Sequence, residues 1–250
     1  MFRIIALKLT SCSGCLNEVI YALSQSDIRE KYGVLYFTEI LDSDKLTEAN
    51  IALIEGSVTN THQEELLRDV RTRVEVLVAL GNCAILGGVQ SLRAETSVEV
   101  VKRDVYPEPG YVSVYNEVKT LDRVVRVDFT IPGCPVRSEA IIEFLRKYAV
   151  GGLPVVIYES VCGECKRKNT LCVLVAKKTP CLGPVTLSGC GALCPQYSRG
   201  CYGCYGLKSF DITGENINAL CRRLVELGFS ESDFKTLLHA YGYRVYSKFK

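Results

Sequence analysis

The chain has 250 residues, 48% of them apolar and 23% charged, with a formal net charge of +2. That length suits one large domain plus a smaller one, and the composition is globular. The near-neutral charge argues against nucleic acid as the main partner, which calls for a concentrated basic face. No apolar run approaches the roughly 20 residues of a membrane span.

The start, Met1-Phe2-Arg3-Ile4-Ile5, leads straight into a strand-like run without the charged region, apolar region or cleavage site of a signal peptide. The expected location is therefore the cytoplasm. Thirteen cysteines in a reducing compartment read as metal ligands before disulfides.

Residues 1–157 are predicted to form an α/β domain. Ile4 to Leu7 predicts a buried strand, followed by the loop Thr10-Ser11-Cys12-Ser13-Gly14-Cys15. Leu16, Val19, Ile20 and Leu23 then keep the i, i+3, i+4, i+7 spacing of an amphipathic helix. Val34 to Phe37, Ile51 to Ile54 and Val76 to Leu80 predict further strands, and 61–73 a charged helix. Such alternation predicts a parallel, doubly wound sheet. Residues 95–130, with Pro107 and Pro109, read as a long insertion or irregular crossover, and Ser138 to Tyr148 as a helix.

The texture changes over 158–208, where Cys, Gly and Pro dominate and no hydrophobic period survives. With little apolar core available, such a segment needs metal to organise it. Residues 209–250 return to helix. Ile217, Leu220, Cys221 and Leu224 keep helical spacing, and Ser230 with Asp233 predicts a cap for a last helix through Leu238.

Twelve of the cysteines fall into sets of four. Cys12 and Cys15 follow the first strand, Cys83 follows the strand ending at Leu80, and Cys134 precedes a helix. Loops at the carboxyl ends of parallel strands converge on one crevice, so these distant thiols are expected to meet. The plain alternative makes Cys83 and Cys134 small buried hydrophobes. Cys162, Cys165, Cys172, Cys181, Cys190, Cys194, Cys201 and Cys204 are spaced C-x2-C-x6-C-x8-C and then C-x3-C-x6-C-x2-C. Eight thiolates serve two cubane iron–sulfur clusters, which take four cysteines each. A pair of zinc sites competes, since zinc also takes four thiolates. Single cysteines between Gly and Pro, and the Cys194-Pro195 dipeptide of ferredoxin-type loops, favour iron–sulfur. That dipeptide also leaves open which cysteine serves which cluster. Lys166, Arg167, Lys168, Lys177 and Lys178 stand between these cysteines, where they would offset a cluster's charge of about −2. Cys221, on the apolar stripe of a helix, is expected in the core. His62 and His239 make no ligand pair.

Four blocks carry a family resemblance: Cys12-Ser13-Gly14-Cys15, Glu55-Gly56-Ser57, Gly81-Asn82-Cys83-Ala84 with Gly87-Gly88, and Pro132-Gly133-Cys134-Pro135. In this order they resemble the small subunit of nickel–iron hydrogenases. The eight later cysteines resemble the two-cluster segment of its cytoplasmic branch, including sulfhydrogenase delta subunits and methanogen hydrogenase gamma subunits. The resemblance implies a flavodoxin-like domain (1–157), a small two-cluster ferredoxin-like domain (158–208) and a helical segment (209–250). It also implies three 4Fe-4S clusters. Cys12, Cys15, Cys83 and Cys134 would hold the proximal one, and the later eight the medial and distal ones. The nickel–iron centre would sit in a partner large subunit. A flavin, deazaflavin or heterodisulfide-reductase-like subunit would exchange the electrons.

The sequence departs from the family at three places. Asn17 stands where a Glu is common, with Glu18 next; Val136 replaces a proline; and no His lies between His62 and His239 to serve as a distal ligand. Val161-Cys162-Gly163-Glu164-Cys165 echoes the nickel motif of the large subunit, but Ser160 stands where its Arg belongs and no D-P-C-x-x-C partner follows. The expected function is an electron relay of a hydrogenase, not catalytic alone. The alternatives are the cluster-bearing subunit of complex I, whose paired cysteines are adjacent rather than two apart, and a zinc-binding structural protein.

Overall fold

The computed structural model describes residues 1–41, 46–155, 158–208 and 214–246. Residues 157 and 209, where the sequence puts its domain boundaries, lie outside the described residues. The chain divides into two compact units, Met1–Pro154 and Val155–Lys250.

In the first unit, β1 (Phe2–Lys8), β2 (Tyr32–Phe37), β3 (Ala49–Glu55), β4 (Val74–Leu80) and β5 (Phe129–Ile131) form one sheet. Their order is β2-β1-β3-β4-β5 and every pairing is parallel, the flavodoxin-like arrangement. Continuous apolar runs suit strands covered on both faces, and the two faces alternate residue by residue. Ile4, Ala6, Leu53 and Val78 pack under α1 (Gly14–Ser24) and, with Ile141, Phe144 and Leu145, under the helix Ser138–Tyr148. Ile5, Leu7, Ile54 and Leu77 face the other way, against Leu67 and Val70 of the helix Thr61–Arg73 and against Leu121 and Val124. The short helix Ser26–Arg29 is α2, so Thr61–Arg73 is α3. Two more helices follow β4, α4 (Gly81–Leu86) and α5 (Val98–Val105), making Ser138–Tyr148 α6.

The segment 95–130 is more ordered than its prolines suggest. It contains α5 and ends on β5, the edge strand. Asp128 fastens that edge, with its amide on the Leu77 carbonyl and its carboxylate accepting from the Leu77 amide and, at 2.6 Å, from Arg71. Three residues of β5 are too few for a periodic signal.

The second unit holds α7 (Val161–Arg167), α8 (Val173–Ala176), α9 (Leu193–Gln196), α10 (Gly214–Glu226) and α11 (Glu231–Tyr246). It has more apolar packing than the sequence suggests, in two small clusters. Val161, Val173, Cys181, Ala192 and Cys201 form one. Leu182 and Val185 join Ile217, Leu220 and Leu224 of α10 and Phe234 and Leu238 of α11 in the other. The helices are thereby seated on the cysteine-rich segment. Cys221 is half-buried at the margin of the second cluster. Ser230 and Asp233 form the expected reciprocal cap, each side chain accepting from the other's amide at 3.0–3.1 Å, and α11 runs on past Leu238. Among the described residues no helix is long and apolar enough to cross a membrane.

Candidate metal centres

The register aligns Lys8, Glu55, Leu80 and Ile131 across the carboxyl edge of β1, β3, β4 and β5. The segments that leave this row carry Cys12 in the loop after β1, Cys15 in the first turn of α1, Cys83 in the first turn of α4 and Cys134 in the turn after β5. The Asn82 amide donates to the Gly133 carbonyl at 2.8 Å, joining the β4 and β5 loops. Glu55, only 1% exposed, spans the Cys12–Cys15 loop from beneath. Its carboxylate accepts from Ser11 Oγ at 2.6 Å on one side and from the Leu16 amide at 2.8 Å on the other.

These four cysteines come within electrostatic reach of one another. Burial pushes the Cys15 thiol far up, and Glu55, Cys83 and Cys134 add to that rise. Cys134 is pushed up to about 11, first by burial and then by Cys83 and Cys12. Burial raises Cys83 as well, against the opposing effect of Gln90 beside it. Such a set gives up its protons at neutral pH only when a cation binds it, because metal and proton compete for the same sulfurs.

The backbone leaves room beside the sulfurs. Gly81 has φ +76°, and a Cβ there would overlap the Cys15 sulfur. At Gly88 (φ +55°) a Cβ would come within 2.7 Å of Cys83 Sγ, and at Gly14 within 3.3 Å of Cys12 Sγ. A close, glycine-lined approach to thiolates is what an inorganic core requires.

In the second unit, Cys162, Cys165, Cys172 and Cys181 line one cavity of about 120 Å³, larger than a single ion fills. Of the other four, Cys190 interacts electrostatically with Cys194, and Cys201 with Cys204 and Cys181. Amides face these sulfurs: the Cys201 amide donates to Cys181 Sγ at 3.2 Å and the Gly203 amide to Cys201 Sγ at 3.5 Å. Burial raises Cys201 to about 12 and Cys165 to about 11. N–H donors aimed at sulfur stabilise thiolate charge and tune cluster potentials.

Among the described residues no three His, Cys, Asp or Glu side chains draw together as a single ion requires. The donor set, the glycine cradle and the N–H···S contacts fit cubane clusters. His62 on α3, His239 on α11 and Cys221 on α10 belong to none of these sets.

The sequence did not single out Glu55, Gln90 or Glu164 as site residues. The signals were that Glu55 closes a buried strand and opens the block Glu55-Gly56-Ser57, and that Glu164 stands between two cysteines. The Glu18 carboxylate accepts from the Ser138 amide at 3.2 Å, tying α1 to α6.

Residues 12–148 match the family model described as NADH ubiquinone oxidoreductase, 20 Kd subunit. The chain belongs to this family, in the branch of small, electron-transfer subunits of nickel–iron hydrogenases. It is 39% identical over 200 residues to sulfhydrogenase 2 subunit delta of Pyrococcus furiosus, covering 80% of this chain and 84% of that one. It is 31% identical over 234 residues to a subunit of the F420-non-reducing vhu hydrogenase of Methanococcus voltae, covering 82% of each. Among solved structures, a chain of an NAD+-reducing [NiFe]-hydrogenase in the H2-reduced state superposes with a TM-score of 0.56 at 30% identity. That match covers 63% of this chain and 96% of the other. These relatives favour the hydrogenase reading over a complex I subunit.

Proposed function

We propose that this chain is the electron relay of a cytoplasmic nickel–iron hydrogenase and holds three 4Fe-4S clusters. The observation that carries the reading is the convergence of Cys12, Cys15, Cys83 and Cys134 at one edge of a parallel sheet. Cys162, Cys165, Cys172 and Cys181, which share a cavity, hold the second cluster. Cys190, Cys194, Cys201 and Cys204 remain for the third. When bound, each cluster supplies one reversible one-electron centre.

The residues of the chain set the conditions for that transfer. Cys181 and Cys201, buried with Val161, Val173 and Ala192, have their sulfurs shielded from water. The Cys201 and Gly203 amides stabilise negative charge on Cys181 and Cys201, and Glu55 fixes the spacing of Cys12 and Cys15 by holding both ends of their loop. The nickel–iron site belongs to a partner large subunit, which faces the sheet-edge set. The further partner is a subunit that handles flavin, deazaflavin or a heterodisulfide.

Iron and acid-labile sulfide analysis of anaerobically purified chain tests the reading. About twelve of each per chain is the expected result, at four per cluster, and Cys83→Ser is expected to remove about four. Stoichiometric zinc in a colourless protein, or unchanged iron in Cys83→Ser, would contradict it.

A further inference from the structure

Glu164 lies between Cys162 and Cys165 in the chain, on α7, yet its carboxylate serves the other cysteine block. Oε1 accepts from the amides of Gly189 and Gly191, both at 3.0 Å, and Oε2 accepts from the amide of Ala192 at 3.0 Å. The Cys190 thiol points at Oε2 from 3.7 Å. The carboxylate therefore grips the backbone on both sides of Cys190. From the end of the same helix, Lys168 Nζ donates to the Gly191 carbonyl at 2.7 Å, a second tie to the loop.

The loop is bent to make this possible. Gly189, Gly191 and Ala192 all have positive φ, at 122°, 67° and 54°. Glycine adopts such angles freely, but Ala192 is an L-residue with a Cβ, and it is wholly buried. Turns of this kind aim successive N–H groups at one point and bind an anion there, and here the anion is a side chain of the chain itself. The Ala192 and Leu193 amides also face the Cys190 sulfur, while burial and the nearby Glu164 charge push that thiol up.

We infer that Glu164 is a positioning residue that joins the two later cluster sites. It presents Cys190 to its cluster from a helix carrying ligands of the neighbouring cluster, and places a fixed negative charge beside that sulfur. The inference rests on the relay reading above. The geometry has two consequences. Without the carboxylate, three amides lose their acceptor and the bent loop relaxes, so Cys190 is no longer held for iron. With the shape kept but the charge removed, the cluster bound by Cys190 becomes easier to reduce, because a nearby negative charge opposes an incoming electron.

The test uses the full chain purified anaerobically, as wild type, Glu164→Gln and Glu164→Ala. Iron and sulfide are counted, and redox titrations are followed by paramagnetic resonance. Wild type loaded with clusters in the later segment secures the reading; zinc or no metal there overturns the reading itself, not only the role of Glu164. Given loaded wild type, Glu164→Gln is expected to retain its iron while one potential moves in the positive direction and the others stay. A merely structural role would not move a potential at constant iron. Glu164→Ala is expected to lose about four irons, one cluster's complement. The moved potential in Glu164→Gln sustains the proposal, whether or not Glu164→Ala folds. Iron loss in Glu164→Ala with unchanged potentials in Glu164→Gln leaves a structural support only and overturns it. Full iron in Glu164→Ala together with unchanged potentials in Glu164→Gln overturns it.

Discussion

The two units solve the same problem, holding cysteines at fixed separations, by opposite means. In the first, a five-stranded sheet with an apolar layer on each face exists before any ligand does. Its loops inherit their places from the register, so Cys12, Cys15, Cys83 and Cys134 meet although 122 positions separate the first from the last (134 − 12). In the second, eight cysteines lie within 43 residues (162–204), on helices as short as four residues and between two small apolar clusters. Burial of that extent offsets little of the entropy of ordering the segment. A scaffold that stands alone tolerates metal loss, whereas one that is built from ligands does not.

Three substitutions probe this contrast. The largest stability effect is expected from Phe144→Ala, which empties a fully buried site beneath the sheet. It is expected to cost about 3–5 kcal/mol in denaturant unfolding of the first unit, with iron content unchanged in the protein that remains folded. A proportional loss of iron from the second unit would show that the scaffolds are not independent. Gly81→Ala comes next. Its φ of +76° costs about 1–2 kcal/mol for a residue with a Cβ, and the added carbon meets the Cys15 sulfur. The readout is specific: loss of about four irons from an otherwise folded sheet.

The smallest effect concerns the surface of the first unit. Glu64 accepts from Lys119 at 2.7 Å, Arg68 at 2.9 Å and Tyr115 Oη at 3.0 Å, and these partners lower its carboxyl to about 2 from 4.5. A depressed folded value means the contribution is complete above 4.5 and lost as pH falls toward 2. Glu64→Gln is expected to cost under about 1 kcal/mol at neutral pH. The gap to wild type should close across that acid range; a gap that widens there would contradict the assignment.

Much of the fold was legible because buried parallel strands are written as apolar runs. Ile4 to Leu7, Ile51 to Ile54 and Val76 to Leu80 carry their burial in composition alone. β5 was not legible, since its three residues owe their place to Asp128, a polar residue bonded to Arg71 and Leu77 from another part of the chain. The grouping of the cysteines was legible because their spacing is written in the chain itself. Their supports were not. Glu55 and Glu164 act through hydrogen bonds 25–44 positions away in sequence, which no local pattern records. The apolar seating of α10 and α11 on Leu182 and Val185 was hidden for a related reason, because isolated apolar residues among Gly, Pro and Cys have no period to follow.

On this account metal holds the second scaffold together and only visits the first. Hydrogen exchange of the full chain, with iron bound and after anaerobic extraction by a chelator, separates the two cases. The expected result is that amides across 158–208 lose protection on extraction while β1, β3 and β4 keep theirs. Unchanged protection over 158–208, or equal loss in the strands, would contradict it.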